Sequence, residues 1–256
     1  YVSTMNFVNQ NKEINYNSFI FGNSRSIFYH VDEWKLFLPE NSIPYHFDAS
    51  DESLWALYKK VEFINQYNNT INNALLVIDY SVLSQVSTQA DGGHLFIIPP
   101  ILINNKNYFK FHYTFVKSFL SPKFIYSYFD YLLSGKLKPY MKSFGFIDDR
   151  IITYDKIYNE IQFNYDEYLI SMNKFYTPER KFIFYERDTL TQRISEKIIS
   201  EKQIYILNKL QLIFQNHNTD VKIIISPLYD QLQLHGEDVD VLKRIFGENN
   251  VFDFSG

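Results

Sequence analysis

Short runs of consecutive apolar residues alternate along the chain with longer segments in which apolar residues recur at helical spacing. The runs are bounded by turn-forming residues, which is typical of strands that are buried on both faces of a parallel sheet. This pattern predicts five strands, at 18–21, 43–47, 74–79, 221–225 and 251–254.

Three segments between the predicted strands have the pattern of amphipathic helices. Ser50 precedes the first as its capping residue, and this helix is predicted to extend to about Asn69. Apolar residues recur at helical spacing over a longer stretch at 194–216, which predicts a second helix, and a third, shorter helix is predicted at 238–246. The alternation of strands and helices predicts a doubly wound, mainly parallel five-stranded α/β sheet of the flavodoxin-like type.

The middle of the chain, residues 88–193, is rich in aromatic residues and lacks this regular alternation. We predict a mixture of helices and hairpins there, with 181–186 as a candidate strand. We interpret the segment as a cap or insertion between the third and fourth core strands of one domain covering 1–256. Its aromatic side chains are either ordinary core residues or the lining of a sugar-binding groove.

Composition narrows the classes of function. The 256 residues include no cysteine, which excludes a disulfide scaffold, thiol catalysis and a thiolate zinc site. With 25 basic and 29 acidic residues, the chain gives no electrostatic reason to expect nucleic-acid binding. It contains neither a glycine-rich phosphate loop nor a dinucleotide fingerprint, and its histidines lack metal-ligand spacing, so we expect no cofactor and no metal.

The end of the first predicted strand is the candidate site. Gly22, Asn23 and Ser24 follow the strand directly, and a helix is predicted after them. A serine at this junction lies at the carboxyl edge of the sheet, near helix N–H groups that stabilise a developing anion. The alternative interpretation is that Ser24 or Ser26 only caps the following helix.

Three charged or titratable side chains near this site are also considered. Arg25 either binds an anionic substrate or pairs with Asp32 or Glu33. His235 follows the fourth strand and is either a base above the same sheet edge or a solvent-facing loop residue. His46 lies on the second strand and is expected to be buried with a satisfied hydrogen bond.

Four places along the chain together carry a resemblance to a known family. Residues 22–24 match a Gly-Asp-Ser nucleophile block, and 45–50 stand where a second block supplies an oxyanion N–H. Residues 77–81 end the third strand, where a Gly-x-Asn block is expected, and 224–229 with 251–255 are similar to the last two strands. This order resembles the SGNH (GDSL-like) hydrolase superfamily, particularly its cell-envelope members that modify surface polysaccharides.

The resemblance implies a serine esterase, deacetylase or O-acyltransferase that acts on an acylated carbohydrate of a bacterial cell envelope, in the periplasm or at the cell surface. It implies that Ser24 is the nucleophile, and that N–H groups of Ser24 and of Ala49 or Ser50 bind the oxyanion. The remaining pocket residues that it implies are Asn23, Arg25, Asp79, Tyr80 and Ser81.

The sequence departs from the family pattern in three places. The second block has no glycine, the third has no asparagine, and Gly256 stands where the family's Asp-x-x-His motif would place its histidine after Asp253. We therefore expect either that the histidine lies beyond Gly256, or that the chain is a catalytically silent relative that serves as a surface or carbohydrate-binding protein. A membrane anchor upstream of residue 1 is also left open.

Overall fold

The computed structural model describes residues 2–67, 69–87, 97–105, 108–146, 151–183 and 193–255. The strands are β1 (Ser18–Gly22), β2 (Pro44–Asp48), β3 (Asn73–Ile78), β4 (Thr153–Asp155), β5 (Glu160–Gln162), β6 (Arg193–Ile194), β7 (Asp220–Ile225), β8 (Leu232–Gln233) and β9 (Val251–Asp253). Five of them form one parallel sheet in the order β2-β1-β3-β7-β9, which is consistent with a flavodoxin-like fold. The predicted α/β class and the five predicted core strands are confirmed.

Helices flank this sheet, and further helices lie between β3 and β7. The helices of the described residues are α1 (Val2–Ile14), α2 (Val31–Lys35), α3 (Leu54–Gln66), α4 (Tyr80–Ser84), α5 (Phe109–Phe119), α6 (Pro122–Ser134), α7 (Pro139–Ser143), α8 (Asn164–Ser171), α9 (Pro178–Ile183), α10 (Glu201–His217) and α11 (Gly236–Phe246). Among the described residues, no helix is both long and apolar enough to cross a lipid bilayer.

Both faces of the sheet are buried because successive side chains of a strand point to opposite sides. Phe19 and Phe21 of β1 belong to the larger core, which also contains residues of α1, α3 and α10. Ile20, between them, packs on the other face with Val31 and Leu75. The continuous apolar runs of the sequence therefore correspond to strands that are covered on both sides.

Two predicted helix starts are wrong. The helix predicted from Ser50 begins at Leu54, and its cap is Ser53, whose hydroxyl accepts the N–H of Ala56 at 3.0 Å. The helix predicted over 194–216 begins only at Glu201.

The late start of α10 has a tertiary cause. The carboxylate of Asp238, on α11, accepts hydrogen bonds from the backbone N–H groups of Ile198 and Ile199 at 2.9 and 3.0 Å, and these two isoleucines are not helical.

The strand predicted at 181–186 is also wrong for residues 181–183, because α9 extends to Ile183. Residues 184–186 lie outside the described residues.

Candidate functional site

Ser24 lies in the turn that leaves β1 at the carboxyl edge of the sheet. Its side chain is exposed, and within the described part of the chain its hydroxyl has no hydrogen-bond partner. A Cβ atom on Gly22 would lie 2.7 Å from both the Val77 carbonyl oxygen and the Ser26 Cβ. Only glycine fits at that position, so Gly22 is what allows the turn to pack against β3.

Asp79, at the end of β3, holds this turn in place. Its buried Oδ2 accepts hydrogen bonds from Asn23 Nδ2 and Arg25 Nη1, both at 2.7 Å. Asn23 Oδ1 in turn accepts the backbone N–H of Arg25 at 3.0 Å. The other oxygen of Asp79 caps α4 by accepting the N–H groups of Ser81 and Val82, and it also accepts the Ser81 hydroxyl at 2.6 Å. Four predicted pocket residues, Asn23, Arg25, Asp79 and Ser81, are therefore engaged in one hydrogen-bond network beside Ser24.

The predicted pairing of Arg25 with Asp32 or Glu33 is wrong. Arg25 forms its ion pair with Asp79, and the Arg25 side chain remains 40% exposed. The turn after β1 lies directly beside the end of β3, because the two strands are neighbours in the sheet. The two acidic residues instead lie in the first turn of α2.

Ser26 and His46 form a buried pair close to the same turn. The Ser26 hydroxyl donates to the Asn23 carbonyl oxygen at 2.8 Å, so it accepts a hydrogen bond from Nε2 of His46 at 3.0 Å. Burial lowers the pKa of His46 to about 4, which leaves the imidazole neutral with its proton on Nε2. His46 is thus a donor to Ser26 and not its base, and its predicted burial with a satisfied hydrogen bond is confirmed.

The capping interpretation of Ser24 and Ser26 is wrong. The helix that follows the turn is one short 3-10 segment, Ser26–Phe28, and no side chain caps it. Ser24 is left without a structural hydrogen bond among the described residues.

The loop after β2 lies next to the Ser24 turn. The backbone N–H of Ala49 donates to the Gly22 carbonyl oxygen at 3.1 Å, which extends the pairing of β1 and β2 by one bond. Ala49 therefore has no N–H available for a ligand. The N–H groups of Ser50 and Ser24 have no acceptor within the part of the chain that the structure describes. Of the two alternatives at this loop, the geometry favours Ser50 as an anion donor.

Lys60 of α3 supports this loop from inside the protein. Its ammonium group donates to the carbonyl oxygens of Phe47 and Asp48 at 3.0 and 2.8 Å, and to Glu52 Oε2 at 2.5 Å. The side chains of Lys60 and Glu52 are only 4% and 1% exposed. A buried charge is tolerated when its hydrogen bonds are satisfied, as they are here. Because Lys60 bonds to residues before and after the loop, it fixes the positions of both loop ends.

A cavity of about 230 Å³ opens beside the same loop. Ser50 and Asp51 line one side of it, and burial raises the pKa of Asp51 while the nearby Arg25 opposes that rise. Ala49 also lines the cavity and donates its N–H to the Gly22 carbonyl oxygen, so the cavity lies next to the turn that carries Ser24. Most of its exposed wall area is apolar and comes from Val2, Ala49, Ala56, Ile97, Ile98, Pro99, Leu102 and Phe115, and polar groups come from Ser3, Thr4, Asp48, Glu52 and Lys60.

None of the five histidines among the described residues is hydrogen-bonded to Ser24. His235 precedes α11, where its Nδ1 accepts the N–H of Glu237 at 3.2 Å as a helix cap. The other four bond to or stack on other residues, and they are His30, His46, His112 and His217. His94 lies outside the described residues.

Tyr80, the remaining predicted pocket residue, begins α4 and packs partly buried against the larger core.

No protein-family model, curated protein or solved structure matches this chain. Within the described ranges, no three His, Asp or Glu side chains come together in a way that could hold a metal ion. The geometry of the Ser24 turn is therefore the basis on which a function can be inferred.

Proposed function

We propose that this chain is an SGNH-like serine esterase or O-acyltransferase, and that Ser24 attacks the acyl ester of an acylated carbohydrate of a bacterial cell envelope. The observation that carries the proposal is the exposed, unbonded hydroxyl of Ser24 at the carboxyl edge of the sheet. The N–H groups of Ser24 and Ser50 lie on adjacent loops without an acceptor among the described residues. Uncommitted donors beside a nucleophile are what an acyl-transfer site needs.

The proposed reaction proceeds in two steps. Ser24 Oγ adds to the ester carbonyl and gives up its proton to a base, and the negative charge on the former carbonyl oxygen accepts hydrogen bonds from Ser24 and Ser50 N–H. Collapse of this intermediate breaks the ester bond, the base returns the proton to the departing sugar oxygen, and the acyl group remains on Ser24. Water or a second sugar hydroxyl then takes the acyl group. The base we propose is a histidine, as the family resemblance implies.

The cavity beside Ser50 supports an acyl ligand. Its wall is largely apolar, and at about 230 Å³ it is larger than the cavities of about 150 Å³ that accommodate benzene. A straight acyl chain of about six carbon atoms is therefore the group that we expect it to receive.

One observation favours a second function, that of a silent surface or carbohydrate-binding protein. The family places an asparagine amide, an oxyanion donor, where this chain has Asp79. That carboxylate is paired with Arg25 and Asn23 and has no hydrogen to donate to an oxyanion.

Labelling with a fluorophosphonate probe tests the first function, using the full-length natural protein. We expect the wild type to be labelled at Ser24 and Ser24→Ala to lose the label. Ser50→Ala keeps the backbone N–H and is the matched control for Ser50→Pro, which removes it. We expect the first to label normally and the second to label about 100-fold more slowly.

Labelling that persists in Ser24→Ala would overturn the assignment of the nucleophile. A folded wild type that takes no label would contradict the enzyme and support the silent protein. Binding to a glycan array would then be the measurement that identifies its ligand.

A further inference from the structure

Helix α5 exposes a row of large apolar side chains. Phe109, Tyr113, Val116 and Leu120 follow each other at intervals of four, three and four residues, which places them on one face. All four are exposed, Phe109 to 77%, and the rings of Phe109 and Tyr113 stack with their centroids 6.3 Å apart. Phe111 is the buried residue of this helix. The exposed row is therefore additional to the face by which α5 packs on the protein.

Helix α6 repeats this arrangement. Tyr126, Phe129 and Leu133 are exposed at intervals of three and four residues, and Leu133 reaches 88%. The two helices belong to one unit, because the Phe119 ring at the end of α5 contacts the rings of Phe124 and Tyr128 on α6. We refer to the exposed faces of Phe109–Phe119 and Pro122–Ser134, with Leu120, as the α5–α6 surface.

The charged residues of the segment that contains the α5–α6 surface are almost all positive. Residues 108–146 contain six lysines and a single acidic residue, Asp130, in a chain whose net charge is -4. Asp130 is paired with Lys138 at 2.6 Å. Within the described residues, four of the lysines have no acidic partner, and these are Lys110, Lys117, Lys123 and Lys136. Lys110 and Lys117 follow Phe109 and Val116 directly, so both lie along the same side of the apolar row.

We propose that the α5–α6 surface binds an anionic lipid membrane, with the two helices lying in the interface. Exposed Phe, Tyr and Leu side chains enter the boundary between headgroups and acyl chains, and the lysines contact lipid phosphates. Lysine side chains are long enough to keep their ammonium groups among the headgroups while their stems follow the apolar row. This inference is independent of any chemistry at Ser24.

Charge also distinguishes a membrane from a second copy of the chain. A two-fold symmetric dimer formed through this surface would bring the same lysines together from both subunits, and like charges across an interface oppose association. An anionic bilayer instead provides the complementary charge along with an apolar layer.

Co-sedimentation with vesicles tests the proposal. We expect the protein to bind vesicles of phosphatidylcholine mixed with phosphatidylglycerol, to bind phosphatidylcholine alone more weakly, and to dissociate as salt is raised. Leu133→Ser should reduce binding, while Phe37→Ser, which changes a residue that is 84% exposed outside this surface, should leave it unchanged. Lys117→Gln should weaken binding about fivefold, and the control Lys202→Gln, on the exposed side of α10, should not.

Three results would overturn the proposal. One is a folded wild type that does not sediment with the anionic vesicles, and another is binding that Leu133→Ser and Phe37→Ser reduce equally. The third is a concentration-dependent dimer in ultracentrifugation that Leu133→Ser dissociates, because this would show that a second copy covers the surface.

Discussion

The guanidinium of Arg25 lies 2.7 Å from Oδ2 of Asp79, so the residue that follows the candidate nucleophile is attached to the end of the neighbouring strand. The two partners differ in environment, because Asp79 is 1% exposed and Arg25 is 40% exposed. Removing the buried acceptor leaves several donors unsatisfied, whereas removing the exposed partner leaves a carboxylate that keeps its other hydrogen bonds.

We therefore expect Asp79→Ala to lower the free energy of unfolding by about 3 kcal/mol and Arg25→Met by about 1 kcal/mol. Urea unfolding of both variants measures the difference. Equal losses would mean that the hydrogen bonds to Asn23, Ser81 and Val82 contribute nothing beyond the ion pair.

Lys60→Met should be strongly destabilising. It leaves the buried Glu52 carboxylate without its partner and two carbonyl oxygens without a donor, which costs about 3–5 kcal/mol. The neighbouring Lys59→Met is the matched control, because Lys59 pairs with the partly exposed Glu62 and its loss costs at most about 1 kcal/mol. Chemical denaturation should give a clearly lower free energy of unfolding for Lys60→Met than for Lys59→Met. Similar values for the two variants would contradict the structural role of the Lys60–Glu52 pair.

The buried imidazole of His46 predicts a loss of stability in acid. Its pKa falls from 6.5 to about 4 on folding, chiefly through burial, so the unfolded chain binds the proton more tightly. The contribution of the neutral His46 imidazole to the free energy of unfolding is complete above pH 6.5. It decreases as the pH falls towards 4, by about 3 kcal/mol in total.

His46→Gln should therefore show a smaller decrease in unfolding free energy than the wild type over this pH range. At higher pH the variant should lose only the hydrogen bond to Ser26, about 1 kcal/mol. Parallel pH profiles for the two proteins would show that His46 is not the group responsible.

The cavity beside Ser50 predicts a preference for acyl chain length, on the basis of the proposed function. We expect p-nitrophenyl hexanoate to be a better substrate than the acetate. Ala56→Leu adds carbon atoms to the cavity wall, so it should lower kcat/KM for the hexanoate about tenfold and leave the acetate unchanged. An equal loss on both esters would indicate that the acyl chain does not enter this cavity.

The core strands could be predicted from sequence because each is a continuous apolar run that ends at turn-forming residues. Asn73–Ile78, for example, is buried at every position, as its run of Ala, Leu, Leu, Val and Ile indicates. Helix ends were less predictable because they depend on distant partners. The helical spacing of apolar residues extends through Ile198 and Ile199, so the sequence predicts helix there. Only the fold brings the Asp238 carboxylate to the N–H groups of these two residues.

The site was predictable in position but not in its hydrogen bonds. Ser24 follows a strand, so its place at the sheet edge could be predicted from the sequence. The hydrogen bonds from Asn23 and Arg25 to Asp79 depend instead on which strands become neighbours. Lys60 was missed because Lys59-Lys60 looks like an exposed basic pair. Its spacing of three from Leu57 and four from Ile64 does place it on the apolar face of α3, and this signal could have identified it.

The pairing of β3 with β7 also has a consequence for how the chain is made. Asn73 lies opposite Asp220 in the sheet, yet every residue from Asp79 to Thr219 is synthesised between them. Strands β1, β2 and β3 can pair while the ribosome is still translating the insertion, and the free edge of β3 stays uncovered until β7 emerges. An apolar strand edge that stays exposed for that long favours association with other nascent chains, so the order of synthesis makes β3 the strand most open to mispairing.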